Sequence, residues 1–132
     1  MLKKTVTYED YNGNEVTEDL YFNLTKSELI SMELGKEGGL SEYYNKIVSS
    51  RDVPQMIQVF TDLIKASYGV KSPDGKRFIK NEEVYTDFKE SPAYDEIFSE
   101  LITDAEKAAE FFNGIIPNLD PVIQKMAAET AN

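Results

Sequence analysis

The chain has 132 residues, 41% of them hydrophobic and 29% charged, with a formal net charge of −10. It contains no His, no Cys and no Trp, which removes the proton shuttle that titrates near neutral pH, the thiolate nucleophile and the two commonest transition-metal ligands. Acidity argues against a nucleic-acid binder, apolar runs of a few residues argue against a membrane span, and what remains is a one-domain length able to bury a core without metal or disulfide.

Residues 2–23 read as a β-hairpin. Leu2, Val6 and Tyr8, then Val16, Leu20 and Phe22, fall on even positions, the period of a half-buried strand. The turn is Tyr11-Asn12-Gly13, and two registers compete. A two-residue Asn-Gly turn pairs Tyr8 with Thr17 and mixes the faces. A three-residue loop with Gly13 in the left-handed region pairs Tyr8 with Val16 and Leu2 with Phe22. Only the second keeps one apolar face, and a buried face fixes register. No apolar leader core follows Lys3 and Lys4, which with the lack of cysteine sets the expectation of a cytosolic protein.

Helices are expected over most of residues 25–113. Thr25 is placed as an N-cap, Glu28 closes a capping box, and Leu24 can staple onto Leu29. That helix is expected to end near Gly35, with Gly35-Lys36-Glu37-Gly38-Gly39 as an interhelical hinge; it follows a helix and lacks the Gly-Lys-Ser/Thr ending of a phosphate cradle. Leu40, Tyr43, Tyr44, Ile47 and Val48 make the next apolar stripe. Asp52 caps a helix with Pro54 in its first turn and a stripe of Val53, Met56, Ile57, Phe60, Ile64 and Tyr68, ended by Gly69 in a left-handed conformation. Lys71 to Lys76 form a tight turn around Pro73 and Gly75, and Arg77-Phe78-Ile79 reads as a short extended piece. Asn81 caps a helix carrying Val84, Tyr85 and Phe88. Ser91-Pro92 starts another, with Tyr94, Ile97, Phe98, Leu101 and Ile102 on one face. Thr103 and Glu106 read as a capping box for a last Ala-rich helix ended by Asn113-Gly114. The expectation is a mainly α (α+β) fold: an N-terminal hairpin followed by a bundle of about five to six short helices. Residues 1–116 form one domain, and 117–132 form a C-terminal tail, a marginal helix or a flexible end.

Charge is unevenly spread. From Glu82 to Glu110 ten acids face only Lys89 and Lys107, a net −8, whereas Lys65, Lys71, Lys76, Arg77 and Lys80 just before oppose only Asp74. The acids read as solvated helix faces. The basic turn carries one aromatic residue, Phe78, too few for a base-stacking site. No carboxylate sits alone in an apolar stripe, where burial would tune it for acid–base work, and Asp74-Gly75 lacks the alternating acids of a Ca²⁺ loop. The expectation is therefore no catalytic residue, no metal and no cofactor. Tyr43 and Tyr44 are sequence neighbours on a helix and cannot both point the same way, so one is a candidate for an interface, where Tyr is favoured. Val122, Ile123 and Met126 in the tail are the other candidate partner-binding residues. An acidic DNA mimic blocking a host nuclease or DNA-binding protein is the rival reading; the Lys71–Lys80 patch interrupts the continuous negative face such a mimic needs.

Three stretches together carry a resemblance: Thr5-Val-Thr-Tyr-Glu-Asp-Tyr-Asn-Gly-Asn through Leu20-Tyr-Phe-Asn-Leu-Thr-Lys-Ser-Glu-Leu; Ser67-Tyr-Gly-Val-Lys-Ser-Pro-Asp-Gly-Lys-Arg-Phe-Ile-Lys; and Phe111-Phe-Asn-Gly-Ile-Ile-Pro. The chain resembles, over roughly residues 3–117, the small tail assembly chaperones of long-tailed bacteriophages, especially those of Gram-positive hosts. The resemblance implies a non-enzymatic protein of the infected cell's cytoplasm, absent from the mature virion. It would bind the tape-measure protein, keep its long apolar helices soluble and help recruit tail-tube subunits. It also implies a largely helical fold, a tendency to form homo-oligomers, and a short form alongside a frameshifted, extended one, with this chain matching the short form.

Overall fold

The computed structural model describes residues 1–34 and 40–115. The expected hinge over Gly35–Gly39 and the tail with Val122, Ile123 and Met126 lie outside the described residues. Strands β1 (Leu2–Glu9) and β2 (Glu15–Phe22) form the hairpin. Leu2 pairs with Phe22 and Tyr8 with Val16, the register that keeps one apolar face. Gly13 has φ +82°, and the loop closes by Gly13 N–H to the Asp10 carbonyl and by the Asp10 carboxylate accepting from the amides of Asn12 and Asn14. Val at position 13 would be forced into a conformation that β-branched residues avoid. Gly13→Val is expected to cost on the order of 1 kcal/mol or more, read as a lower melting temperature; an unchanged one would contradict the turn.

Helices follow: α1 (Lys26–Leu34), α2 (Leu40–Ser50) and α3 (Val53–Ser67). Thr25 and Glu28 form the reciprocal capping box, Thr25 N–H to Glu28 Oε1 at 2.9 Å and Glu28 N–H to Thr25 Oγ1 at 3.2 Å. Asp52 caps α3 through the Gln55 amide. The buried face of α3 is Val59, Phe60, Leu63, Ile64 and Ser67. The helix is thus rotated from the stripe read in the sequence: Val59 and Leu63 are inside, while Val53 and Ile57 are 51% and 40% exposed. Val59 and Leu63 lie beside Phe60 and Ile64 on the helix surface, so the buried face is centred between these two rows.

Gly69 does not end α3 in a left-handed conformation. Tyr68 leaves the helix with φ −67° and ψ 138°, and Tyr68–Lys71 becomes β3, paired with β2 and with the short β4 (Phe78–Ile79). The result is one antiparallel sheet ordered β1-β2-β3-β4. Glycine at 69 answers a close approach: a Cβ there would lie 2.5 Å from Phe78 Cε2 and 2.8 Å from the Ile79 carbonyl. The β3–β4 turn is the expected tight one, with Gly75 N–H on the Ser72 carbonyl.

Asn81 caps α4 (Glu82–Lys89) through the Val84 amide, and Pro92 opens α5 (Pro92–Thr103). The cap of α6 (Ala105–Ile115) is Asp104, whose carboxylate accepts from the amides of Glu106 and Lys107. Thr103 is instead the last residue of α5, its hydroxyl turned back onto the Ser99 carbonyl. Helix α6 also runs through Asn113 and Gly114, because Ile115 is itself buried in the core.

Helix α5 lies at the centre, touching β1, α3, α4 and α6, and its Ala93, Ile97 and Leu101 are buried. Phe22 joins sheet to helices, its ring edge-on to Phe111 (5.1 Å), Tyr68 (5.7 Å) and Phe88 (6.1 Å). The core face of the hairpin also carries two charges. Lys4 reaches Glu100 of α5 at 3.0 Å, and Glu18 accepts from the Tyr8 hydroxyl at 3.2 Å.

Candidate functional site

Tyr43 and Tyr44 sit mid-way along α2. Tyr44 is 5% exposed and stacks on Phe112 at 4.7 Å; Phe112 stacks in turn on Phe60 at 5.3 Å. This aromatic column ties α2 to α3 and α6. Burial, then the neighbouring Tyr43 and Asp62, push the Tyr44 phenol up to about 12, so it stays protonated and offers no base. Tyr43 is half-buried, packed against the core and edge-on to Tyr44 at 5.4 Å. Of the two, Tyr43 is the more exposed, while Tyr44 is part of the column.

Sequence reasoning did not find the exposed apolar residues Val53 and Ile57 on α3. The signal was present in their spacing, but it was read as core. Half-buried Met32 on α1 borders a shallow surface hollow with Ser27, Glu28 and Ser31.

The acids of α4 to α6 are exposed, with the exception of the half-buried Glu100, which lies between Lys4 and Lys107 (3.9 Å). Within the basic segment Lys76 and Arg77 are exposed, whereas three lysines are engaged. Lys71 lies over the Tyr21 ring at 4.1 Å, Lys65 is 5.4 Å from the Tyr85 ring and 4.0 Å from Glu82, and Lys80 is held inside. Lys80 Nζ donates to the carboxylate of Glu28 (2.6 and 2.8 Å) and to the carbonyls of Ala66 (3.0 Å) and Asn23 (3.1 Å). It therefore ties the start of α1, the end of α3 and the end of β2 together. Burial acts to raise the Glu28 carboxyl, but the hydrogen bonds from Lys80 and Thr25 outweigh it and hold the group below its ordinary value.

Among the described residues no group of three or more His, Cys, Asp or Glu is placed to hold a metal ion, and no helix is long and apolar enough to cross a membrane. The described surface carries half-buried Tyr43 beside the aromatic column, exposed Val53 and Ile57 on α3, and the exposed acids of α4 to α6. Comparison with curated proteins and with solved structures returned no match. A protein-family model described as phage tail assembly chaperone matches residues 1–131.

Proposed function

This chain belongs to the phage tail assembly chaperone family, and from that membership we propose that it binds the tape-measure protein without catalysing a reaction. In this reading it acts in the cytoplasm of the infected host, keeps apolar tape-measure helices soluble, helps bring in tail-tube subunits, and is absent from the finished particle. The match across nearly the whole chain carries the reading. The side chains support it: Tyr43 on α2 supplies an amphipathic contact, and Val122, Ile123 and Met126 supply apolar ones. Helix-in-groove recognition buries an apolar stripe of the partner, and exposed acids on α4 to α6 keep the complex soluble and repel nucleic acid. The single-domain division at residue 116, with 117–132 as a tail, belongs to the same proposal.

Co-expression tests it. The chain should raise the soluble fraction of the matching tape-measure protein and co-purify with it, and Tyr43→Ala should weaken the complex, with circular dichroism checking that the helical content of the chaperone is retained. A tape-measure protein that stays insoluble and fails to co-purify would overturn the reading.

A further inference from the structure

Strand β1 is an outer strand of the sheet, eight residues long and without proline. Its bonding parity follows from the turn. Asp10 N–H donates to the Asn14 carbonyl, and the ladder alternates in twos, so residues 8, 6, 4 and 2 direct their backbone groups at β2. Residues 3, 5, 7 and 9 direct theirs outward, and among the described residues no backbone hydrogen bond meets them. Such an edge is a template for another strand.

We infer that this edge pairs with β1 of a second copy of the chain, antiparallel and centred on Val6. In that register Lys3 faces Glu9 of the second copy, Thr5 faces Thr7, and Val6 faces Val6. The outward-bonding residues 3, 5, 7 and 9 become the hydrogen-bonded pairs, and Val6 becomes the close, non-bonded pair. The two-fold axis makes every contact occur twice. Charge selects the register. Glu9 lies opposite Glu15 within its own hairpin, a like-charge pair that is unfavourable, and Lys3 has no carboxylate within ion-pair distance among the described residues. The dimer sets each Lys3 beside that acidic pair. Parallel pairing would instead put Lys3 on Lys3 and Glu9 on Glu9. The same strand supplies both halves of the complementarity, which is why a second copy, and not an unrelated segment, is the occupant. The inference stands apart from the tape-measure reading, since neither needs the other.

The test is sedimentation equilibrium of the untagged full chain, with amide exchange by NMR. A dimer is expected, with concentration-dependent protection at the amides of Lys3, Thr5, Thr7 and Glu9. Thr5→Pro removes an outward N–H, which an edge strand tolerates, and should give a folded monomer. Lys3→Glu and Glu9→Lys should each weaken the dimer roughly tenfold, and the double exchange should restore it to within about threefold. The single exchanges move the net charge in opposite directions from −10, so general repulsion between acidic copies would weaken one and strengthen the other. That asymmetric pattern would overturn the proposal. So would a wild-type chain that stays monomeric up to its solubility limit, including one whose β1 edge is found to be covered by another protein's strand, or a dimer indifferent to both Thr5→Pro and the double exchange.

Discussion

Phe22→Ala is expected to cost about 4 kcal/mol. Phe22 is fully buried at the end of β2 and meets Phe111 of α6, Tyr68 of β3 and Phe88 of α4 edge-on. Truncation removes the transfer energy of the ring and leaves a cavity whose walls belong to three different elements, so collapse around it is hindered. The edge-to-face contacts add to the loss, each pair contributing about 0.5–1.5 kcal/mol beyond area. Against a total stability of about 5–15 kcal/mol, the variant should lie near its unfolding threshold, and its melting temperature should fall by roughly 15 °C. Urea unfolding that gives a loss below about 1 kcal/mol would contradict the placement of this ring at the junction of sheet and helices.

Lys80→Met should cost about 2 kcal/mol or more. It leaves the Ala66 and Asn23 carbonyls and the Glu28 carboxylate without the ammonium donor that serves all three. An ammonium has three protons, so one is shared between the two Glu28 oxygens. The site is partly solvated, with 38% of the Glu28 side chain exposed, which keeps the figure below that of a fully buried pair. Its pH dependence has a definite sign. The Glu28 carboxyl is held below its ordinary 4.5 in the folded chain, so its contribution is complete above that value and is lost as pH falls through the lower, folded one. The gap between wild type and Lys80→Met should therefore be widest near neutrality and narrow below pH 4.5. It should not vanish, because the two carbonyl bonds do not titrate. A gap that widens on acidification would mean that Glu28 is not the partner that matters.

Local signals in the sequence were reliable where a short-range rule governs. One glycine and one apolar face set the hairpin register at Tyr8–Val16, and the caps at Thr25, Asp52 and Asn81 are side chains bonding amides three residues away. Long-range geometry was less legible. Tyr68 continues the helical spacing after Ile64 and does face the core, yet it pairs with Phe22 in the sheet. Strands of four and two residues are too short to display a period of two, so β3 and β4 left little trace beyond the turn between them. Glycine at 69 looked like a helix stop, whereas its real constraint is the Phe78 ring beside it. Lys80 read as one member of the basic Lys71–Lys80 patch because nothing local announces a glutamate 52 positions earlier. The candidate surface was partly legible: two adjacent tyrosines cannot share a direction on a helix, and the aromatic column through Phe112 and Phe60 determines that Tyr44 is the inner one.

The central claim is recognition of a tape-measure helix by apolar burial, with the acids as a solubilising surround. The direct measurement is the dissociation constant of the chain with that segment at ~0.05 M and ~0.5 M salt, where screening of surface charge differs strongly while apolar burial is not screened. The account predicts a complex at both, with the constant changing by less than about threefold. Binding at low salt that collapses at high salt would make the acidic face of α4 to α6 the docking surface and contradict the apolar mechanism, and absence of binding at both would contradict the chaperone reading itself.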